Sequence, residues 1–212
     1  MKVFIDLFCG LGGASSAFCA APGWKVIRID NNPDLIPHVH GMILADILDV
    51  HNIQSIIASL LFEHTDEIEQ IVVWASPPCT EFSLANQNRP EEPDMSMLVA
   101  AKELIEWICT GEDTSRMNPL WVIENVKGAI DWFNDELEMP WHQRIGPFFL
   151  WGTIPWIDFR DANSKLHKKT GLNKGSRALR PNIRAKIPDD VSQALLDSLE
   201  LQTKLTDFAS LL

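Results

Sequence analysis

The sequence predicts an α/β fold: a mainly parallel twisted sheet with helices on both faces, of the Rossmann-like kind. Apolar runs of strand length alternate with segments of helical apolar spacing. The first run ends in Gly10-Leu11-Gly12-Gly13 and the second ends in Asp30. Residues able to do chemistry follow two later runs, and the carboxyl ends of strands are where open α/β sheets place their sites. The 212 residues suffice for one substantial domain, and 46% apolar with 22% charged residues is a globular mixture.

Lys2 to Phe8 reads as the first strand. Gly13 to Ala21 suits a helix, stopped by Pro22-Gly23. Trp24 to Asp30 is the second strand, and Met42 to Ala45 a short third one before Asp46. Asn52 to Phe62 has helical spacing. Ile71 to Ala75 is a buried fourth strand running into Ser76-Pro77-Pro78. Met95 to Cys109 reads as a helix with Asp94 as its N-cap. Leu120 to Ile123 is a fifth strand. Phe148 to Trp151 and Ile154 to Ile157 look like strand pieces, and Asp161 to Arg184 like a long polar loop. Pro188-Asp189-Asp190 opens a last helix running to about Leu201, with Asp189 as cap.

Charge is segregated. From Arg160 to Lys186 there are nine basic residues and one acid, a local charge of +8 in a chain of net −11. Such a stretch suits an anionic partner, although a solvated basic loop has the same composition. No apolar run approaches the roughly 18 residues that cross a membrane. The N-terminus lacks the sections of a signal peptide. Cys9, Cys19, Cys79 and Cys109 show no CxxC spacing, and the six histidines no ligand spacing, so neither disulfides nor a metal are expected. A cytoplasmic setting follows from these signs.

Three segments carry the chemistry. A strand ending in Gly-x-Gly brings backbone N–H groups close to a ligand at a helix N-terminus. Asp30, 18 residues after Gly12, is placed to accept bonds from ribose hydroxyls. These residues alone fit NAD, FAD or S-adenosylmethionine. Next comes Ser76-Pro77-Pro78-Cys79-Thr80-Glu81-Phe82-Ser83, in which a cysteine on the sheet rim can act as a thiolate nucleophile. A lone cysteine is more often a small buried hydrophobe. Third is Ile123-Glu124-Asn125-Val126, whose carboxylate falls on the same rim and can serve as a general acid.

In this order the segments resemble the cytosine-C5 DNA methyltransferase family. DLFCGLGG is similar to its cofactor-binding motif, PPCTEFS to its Pro-Cys nucleophile loop, and ENV to its catalytic glutamate motif. The resemblance covers roughly Met1 to Pro155. It implies S-adenosylmethionine as cofactor, lined by Phe8, Gly10, Leu11 and Gly12, with Pro78 also on that side. It implies that Asp30 binds the ribose, that Asn31 lies beside the adenine, and that Asp46 followed by Ile47 holds the adenine amine. Cys79 would attack C6 of cytosine and Glu124 would bond N3 and N4. Duplex DNA is the implied partner, with the target base flipped out of the stack.

The chain departs from that family in several places. Thr80 stands where Gln is usual. Trp151-Gly152-Thr153-Ile154-Pro155 lacks the Arg-x-Arg pair that should precede it, and Arg144 is the nearest candidate for the arginine that contacts the base. The closing Gly-Asn-x-Val-Pro motif is reduced to Ala185-Lys186-Ile187-Pro188. A recognition domain of the usual size is absent. The expected organisation is a catalytic unit at 1–157, a short basic segment at 158–186 in its place, and a C-terminal helix at 187–212 that packs back. Lys165, Lys168, Lys169, Lys174, Arg177 and Arg180 would then hold phosphates, giving a short or relaxed site or one borrowed from a dimer mate or recognition partner. Methylases this small resemble those of bacteriophages, where protecting DNA from host restriction is a common use. A tRNA or single-stranded DNA substrate, or a non-catalytic regulatory homologue, remains open. A nicotinamide oxidoreductase would leave Pro-Pro-Cys and Glu-Asn-Val without a role.

Among the eight tryptophans, Trp24, Trp107 and Trp121 have core-like neighbours, while Trp132, Trp141 and Trp156 flank the expected DNA side.

Overall fold

The computed structural model describes residues 1–62, 64–159 and 179–210, with side chains through 202. Seven strands form one sheet in the order β3-β2-β1-β4-β5-β7-β6. The first five are β1 (Lys2–Leu7), β2 (Trp24–Asp30), β3 (Met42–Leu44), β4 (Gln70–Ala75) and β5 (Leu120–Asn125). All their pairings are parallel. A hairpin of β6 (Gln143–Ile145) and β7 (Phe148–Gly152) completes the edge, with β7 antiparallel to β5.

Strand alternation sorts the apolar side chains onto two faces. Val3, Ile5, Leu7, Ile71, Val73, Ile123 and Trp151 point to one face. There they meet α1 (Val50–Phe62) and α2 (Ser96–Thr110), through Ile53, Ile57 and Leu61 and through Leu98, Leu104 and Ile108. The short α3 (Ile130–Glu136) adds Phe133. Phe4, Val72, Trp74, Val122 and Leu150 point to the other face. That face is covered by Ala14 and Phe18 and by α5 (Asp189–Ser210), whose Val191, Leu195 and Leu199 recur every fourth residue. β1 and β4 are buried on both faces, as central parallel strands must be.

The segment after β1 differs from expectation. Residues 13–21 form successive turns rather than a regular helix. Ser15 and Ser16 return their hydroxyls to the carbonyls of Gly12 and Gly13. Such local bonds compete with the helical ladder. Gly13 also lies so close to the Ile187 backbone that a Cβ there would overlap it. The dipole of a helix N-terminus is therefore not what the glycine turn offers a ligand.

Other boundaries moved less. Ile154 and Ile157 are buried, but their segment is not the strand piece expected. The N-cap position of α2 is Met95, and Asp94 accepts from the Ser96 N–H at 2.8 Å. α4 (Arg180–Ala185) forms where a loop is expected. α5 is held at both ends of its described side chains. Lys186 pairs with Asp189 at 2.9 Å, and Glu200 accepts from Lys2 Nζ and Trp24 Nε1, each at 3.0 Å.

Gly152 closes β7 with φ of 142°, and a Cβ there would overlap the Trp121 carbonyl. Gly152→Ala should cost about 3 kcal/mol or more in urea unfolding, from overpacking plus a backbone region nearly closed to other residues. Unchanged stability would mean that the β5–β7 pairing tolerates more separation than this close approach implies.

Candidate active site

The strand order reverses direction between β1 and β4, so a crevice opens beyond their carboxyl ends. The glycine turn leaves β1 on one side of it and the Cys79 loop leaves β4 on the other. Ser76 N–H donates to Leu7 O at 3.3 Å, holding the two exits together.

The glycine turn is built from left-handed backbone. Phe8, Gly10 and Gly12 have φ of 59°, 52° and 68°. Gly12 N–H closes the turn on Cys9 O at 2.7 Å. Asp30 fixes its outer side: one carboxylate oxygen accepts from Gly10 N–H and the other from Asn32 N–H, both at 2.9 Å. Beneath the turn lies Asp6, 1% exposed, whose carboxyl is raised to about 7 by burial, with Ser15 and Arg28 opposing that rise. Arg28 Nε donates to Ser15 Oγ at 2.9 Å. Asp6 Oδ2 has no hydrogen-bond partner among the described residues. Burial together with Asp6 and Asp30 raises the Cys9 thiol, so this cysteine is inert.

These features fit a nucleoside ligand. An ionised carboxylate offers about four acceptor directions, and the two backbone donors leave Asp30 room for a hydroxyl pair. Leu11 packs on a small cluster with Cys9, Leu35, Val39 and Leu179. Asn31 is exposed beside Asp30. Asp46 is exposed too, and its carboxylate accepts from Leu48 N–H at 3.0 Å. Ile47 is 2% exposed and its side chain belongs to the core, so only its backbone can face a ligand.

On the β4 side, Pro77 is buried and Pro78 exposed, and Cys79 begins a turn in which its carbonyl accepts from Phe82 and Ser83 N–H. Glu124 closes the site from β5 and is 7% exposed. Burial raises its carboxyl to about 7, against the Ser76 hydroxyl, whose hydrogen bond favours the charged form. Asn125 locks the two pieces together: its side-chain N–H donates to Pro77 O at 2.9 Å while its oxygen accepts from Val126 N–H. The Cys79 thiol is pushed up by burial and then by Glu124, and drawn down by a backbone hydrogen bond and Arg184. The pair is thus a thiol that ionises late beside an acid that is partly protonated near neutrality.

The structure does not bring Arg144 to this pair. Arg144 is exposed on β6, its Nε donates to Gly146 O at 2.7 Å, and its guanidinium lies 5.4 Å from the Phe149 ring centroid. Phe149 faces the α1–α3 side, whereas Glu124, next to Ile123 in the alternation, faces the α5 side with Leu150. Of the basic residues expected to hold phosphates, Lys165, Lys168, Lys169, Lys174 and Arg177 lie outside the described residues. Arg180 is exposed at the start of α4.

Four residues that sequence reasoning passed over gather here. Ser76 follows the last residue of β4, and Asn125 ends β5. α4 adds Asn182, whose side chain reaches Gly10 and accepts from Asn32 Nδ2 at 3.4 Å, and Arg184, which acts on Cys79. Trp132 and Trp141 are about two-fifths exposed, at 39% and 38%, and Trp156 is 67% exposed. Trp24, Trp107 and Trp121 pack against the two cores. Among the described residues no cluster could hold a metal, and no helix is long and apolar enough to cross a membrane.

The sheet, its glycine turn and the crevice define an α/β Rossmann-like methyltransferase fold. The family model for C-5 cytosine-specific DNA methylases matches residues 2–137, and the chain belongs to that family. A solved methyltransferase of Entamoeba histolytica, EhMeth, aligns with a TM-score of 0.39 at 13% identity. The alignment covers 75% of this chain and 55% of that one, so this chain spans little more than half that protein's length. No curated protein matches the sequence.

The Glu124 charge is one reason the Cys79 thiol ionises late, so removing it should make the thiol more reactive. Glu124→Gln is expected to speed iodoacetamide alkylation of Cys79 about threefold at pH 8.5, read on the Cys79 peptide by mass spectrometry. The two proteins should converge well below pH 7, where Glu124 is itself neutral. Equal rates at high pH would mean the carboxylate does not face the thiol.

Proposed function

We propose that this chain is a DNA cytosine-C5 methyltransferase that uses S-adenosylmethionine and a covalent Cys79 adduct. The observation that carries the reading is the pairing of Cys79 with a buried, partly protonated Glu124 across the ends of β4 and β5.

C5 of cytosine is a poor nucleophile on its own. Addition of the Cys79 thiolate to C6 makes C5 enamine-like, and a proton from Glu124 to N3 takes up the charge that addition puts on the ring. Burial raises that carboxyl to about 7, so the proton is available near neutrality. When bound, S-adenosylmethionine supplies an electrophilic methyl group. Asp30 and the glycine turn would hold the nucleoside end of the cofactor. After C5 has taken the methyl group and given up its proton to solvent, the C6–S bond breaks, Cys79 leaves as thiolate and N3 returns its proton to Glu124. A base stacked in a duplex cannot reach a thiol set in this crevice, so the target is extruded at a cost of a few kcal/mol.

The basic stretch from Arg160 to Lys186 would hold phosphates in place of a recognition domain. Its shortness favours a short or relaxed site, or one supplied by a dimer mate or recognition partner. It also makes tRNA and single-stranded DNA real alternatives to duplex DNA.

Labelled methyl transfer to duplex DNA, single-stranded DNA and tRNA tests the reading. Transfer to duplex DNA is expected, with methylcytosine as product and only background in Cys79→Ala. Transfer to RNA alone would move the substrate assignment. Cofactor binding without transfer to any of the three would point to a regulatory homologue or a missing partner subunit.

Replacing Lys165, Lys168 and Lys169 together by Ala should weaken DNA binding and flatten its salt dependence. The slope of log affinity against log salt should fall by about 0.9 for each phosphate that is no longer neutralised. An unchanged slope would mean that other residues neutralise the phosphates.

A further inference from the structure

Ser76 lies one residue beyond Ala75, which is in register with Ile123 on the neighbouring strand. The parallel register therefore puts Ser76 beside Glu124. A serine hydroxyl has one proton to give and two acceptor directions. The Trp74 indole N–H, 2.8 Å from Ser76 Oγ, occupies an acceptor direction, and an indole can only donate. Trp74 is 1% exposed and packed in the α5-side core, so it cannot turn away. The Ser76 proton is thus left for the Glu124 carboxyl.

We propose that Ser76, aimed by Trp74, is the positioning residue that donates to one Glu124 oxygen and leaves the other to carry the proton toward the target ring. The proposal rests on the reading of Glu124 as proton donor. It also explains how a flexible two-oxygen group can present one defined acid. Without the hydroxyl, either oxygen can hold the proton and the carboxyl can rotate. The same bond favours the carboxylate, so it offsets part of the rise that burial imposes and sets the pH at which the acid is lost. A hydroxyl that only satisfied a buried group would alter stability and leave the pH dependence of the chemistry unmoved.

The test is the single-turnover methylation rate as a function of pH, at saturating cofactor and DNA. Ser76→Ala should lower the rate at pH 7 about tenfold, with DNA affinity kept within about twofold. Its alkaline limb should move up by roughly half a unit, because the bond that favoured the charged carboxylate is gone. Ser76→Thr keeps the hydroxyl and should restore the wild-type limb. Ser76→Cys, a poorer donor of similar size, should shift it as Ala does and serves if the Ala variant does not fold. A limb that stays in place in the Ala or Cys variant overturns the proposal, as does a Thr variant that behaves like Ala. Glu124→Gln is the control. If it methylates at the wild-type rate, the assignment of Glu124 falls. If it is inactive while the Ser76 variants keep the wild-type limb, only the role of Ser76 falls.

Discussion

The hydrogen bond from Asn125 to the Pro77 carbonyl is the constraint on which the site depends. It joins the end of β5 to the loop that leaves β4, and it is buried. Breaking it would leave a carbonyl and an amide without partners, a cost of about 1–3 kcal/mol each. That cost holds the loop carrying Cys79 against the strand carrying Glu124. The prolines on either side of that carbonyl restrict the backbone further, since each fixes φ near one value. The thiol and the carboxyl are therefore held near each other because two backbones are tied together, with no direct bond needed between the side chains.

Burial then sets their chemistry. Removing a carboxyl from water favours its neutral form, and Glu124 becomes an acid near neutrality where an exposed glutamate would be a spectator. The same burial works against the thiolate at Cys79. In the proposed reaction one partner holds a proton and the other loses one, and burial favours the first and opposes the second. Cations near the site then matter, and the charge of Arg184 on α4 is one that favours the thiolate.

Much of the fold was legible because hydrophobic periodicity and turn residues agree along the parallel strands. β2 runs between its expected ends, and β1, β4 and β5 differ by one or two residues. Glu124 falls at a strand end and Cys79 on the loop that leaves one, places that sequence alone can locate. What depends on packing was not legible. Residues 13–21 have helical composition, yet the serine back-bonds and the approach of Ile187 impose turns. Arg144 looked close to the site along the chain, but β6 was not recognised as a strand, and strand alternation turns that side chain to the opposite face. Asn182 lies far from Gly10 in sequence and meets it only through the tertiary fold. Ile47 followed a polar neighbour at a loop, and the core claimed its side chain.

The latch of Glu200 onto Lys2 and Trp24 has a consequence for how the protein is made. β1 lies in the middle of the sheet, and one of its faces is sealed by α5, from the other end of the chain. During synthesis the first strand emerges early, and the helix that covers Phe4 and Trp74 emerges only after every strand of the sheet. Until it does, the nascent sheet exposes a broad apolar face, the kind of surface that invites aggregation or a chaperone. Emergence of α5, rather than formation of the first strands, is then the event that lets this fold close.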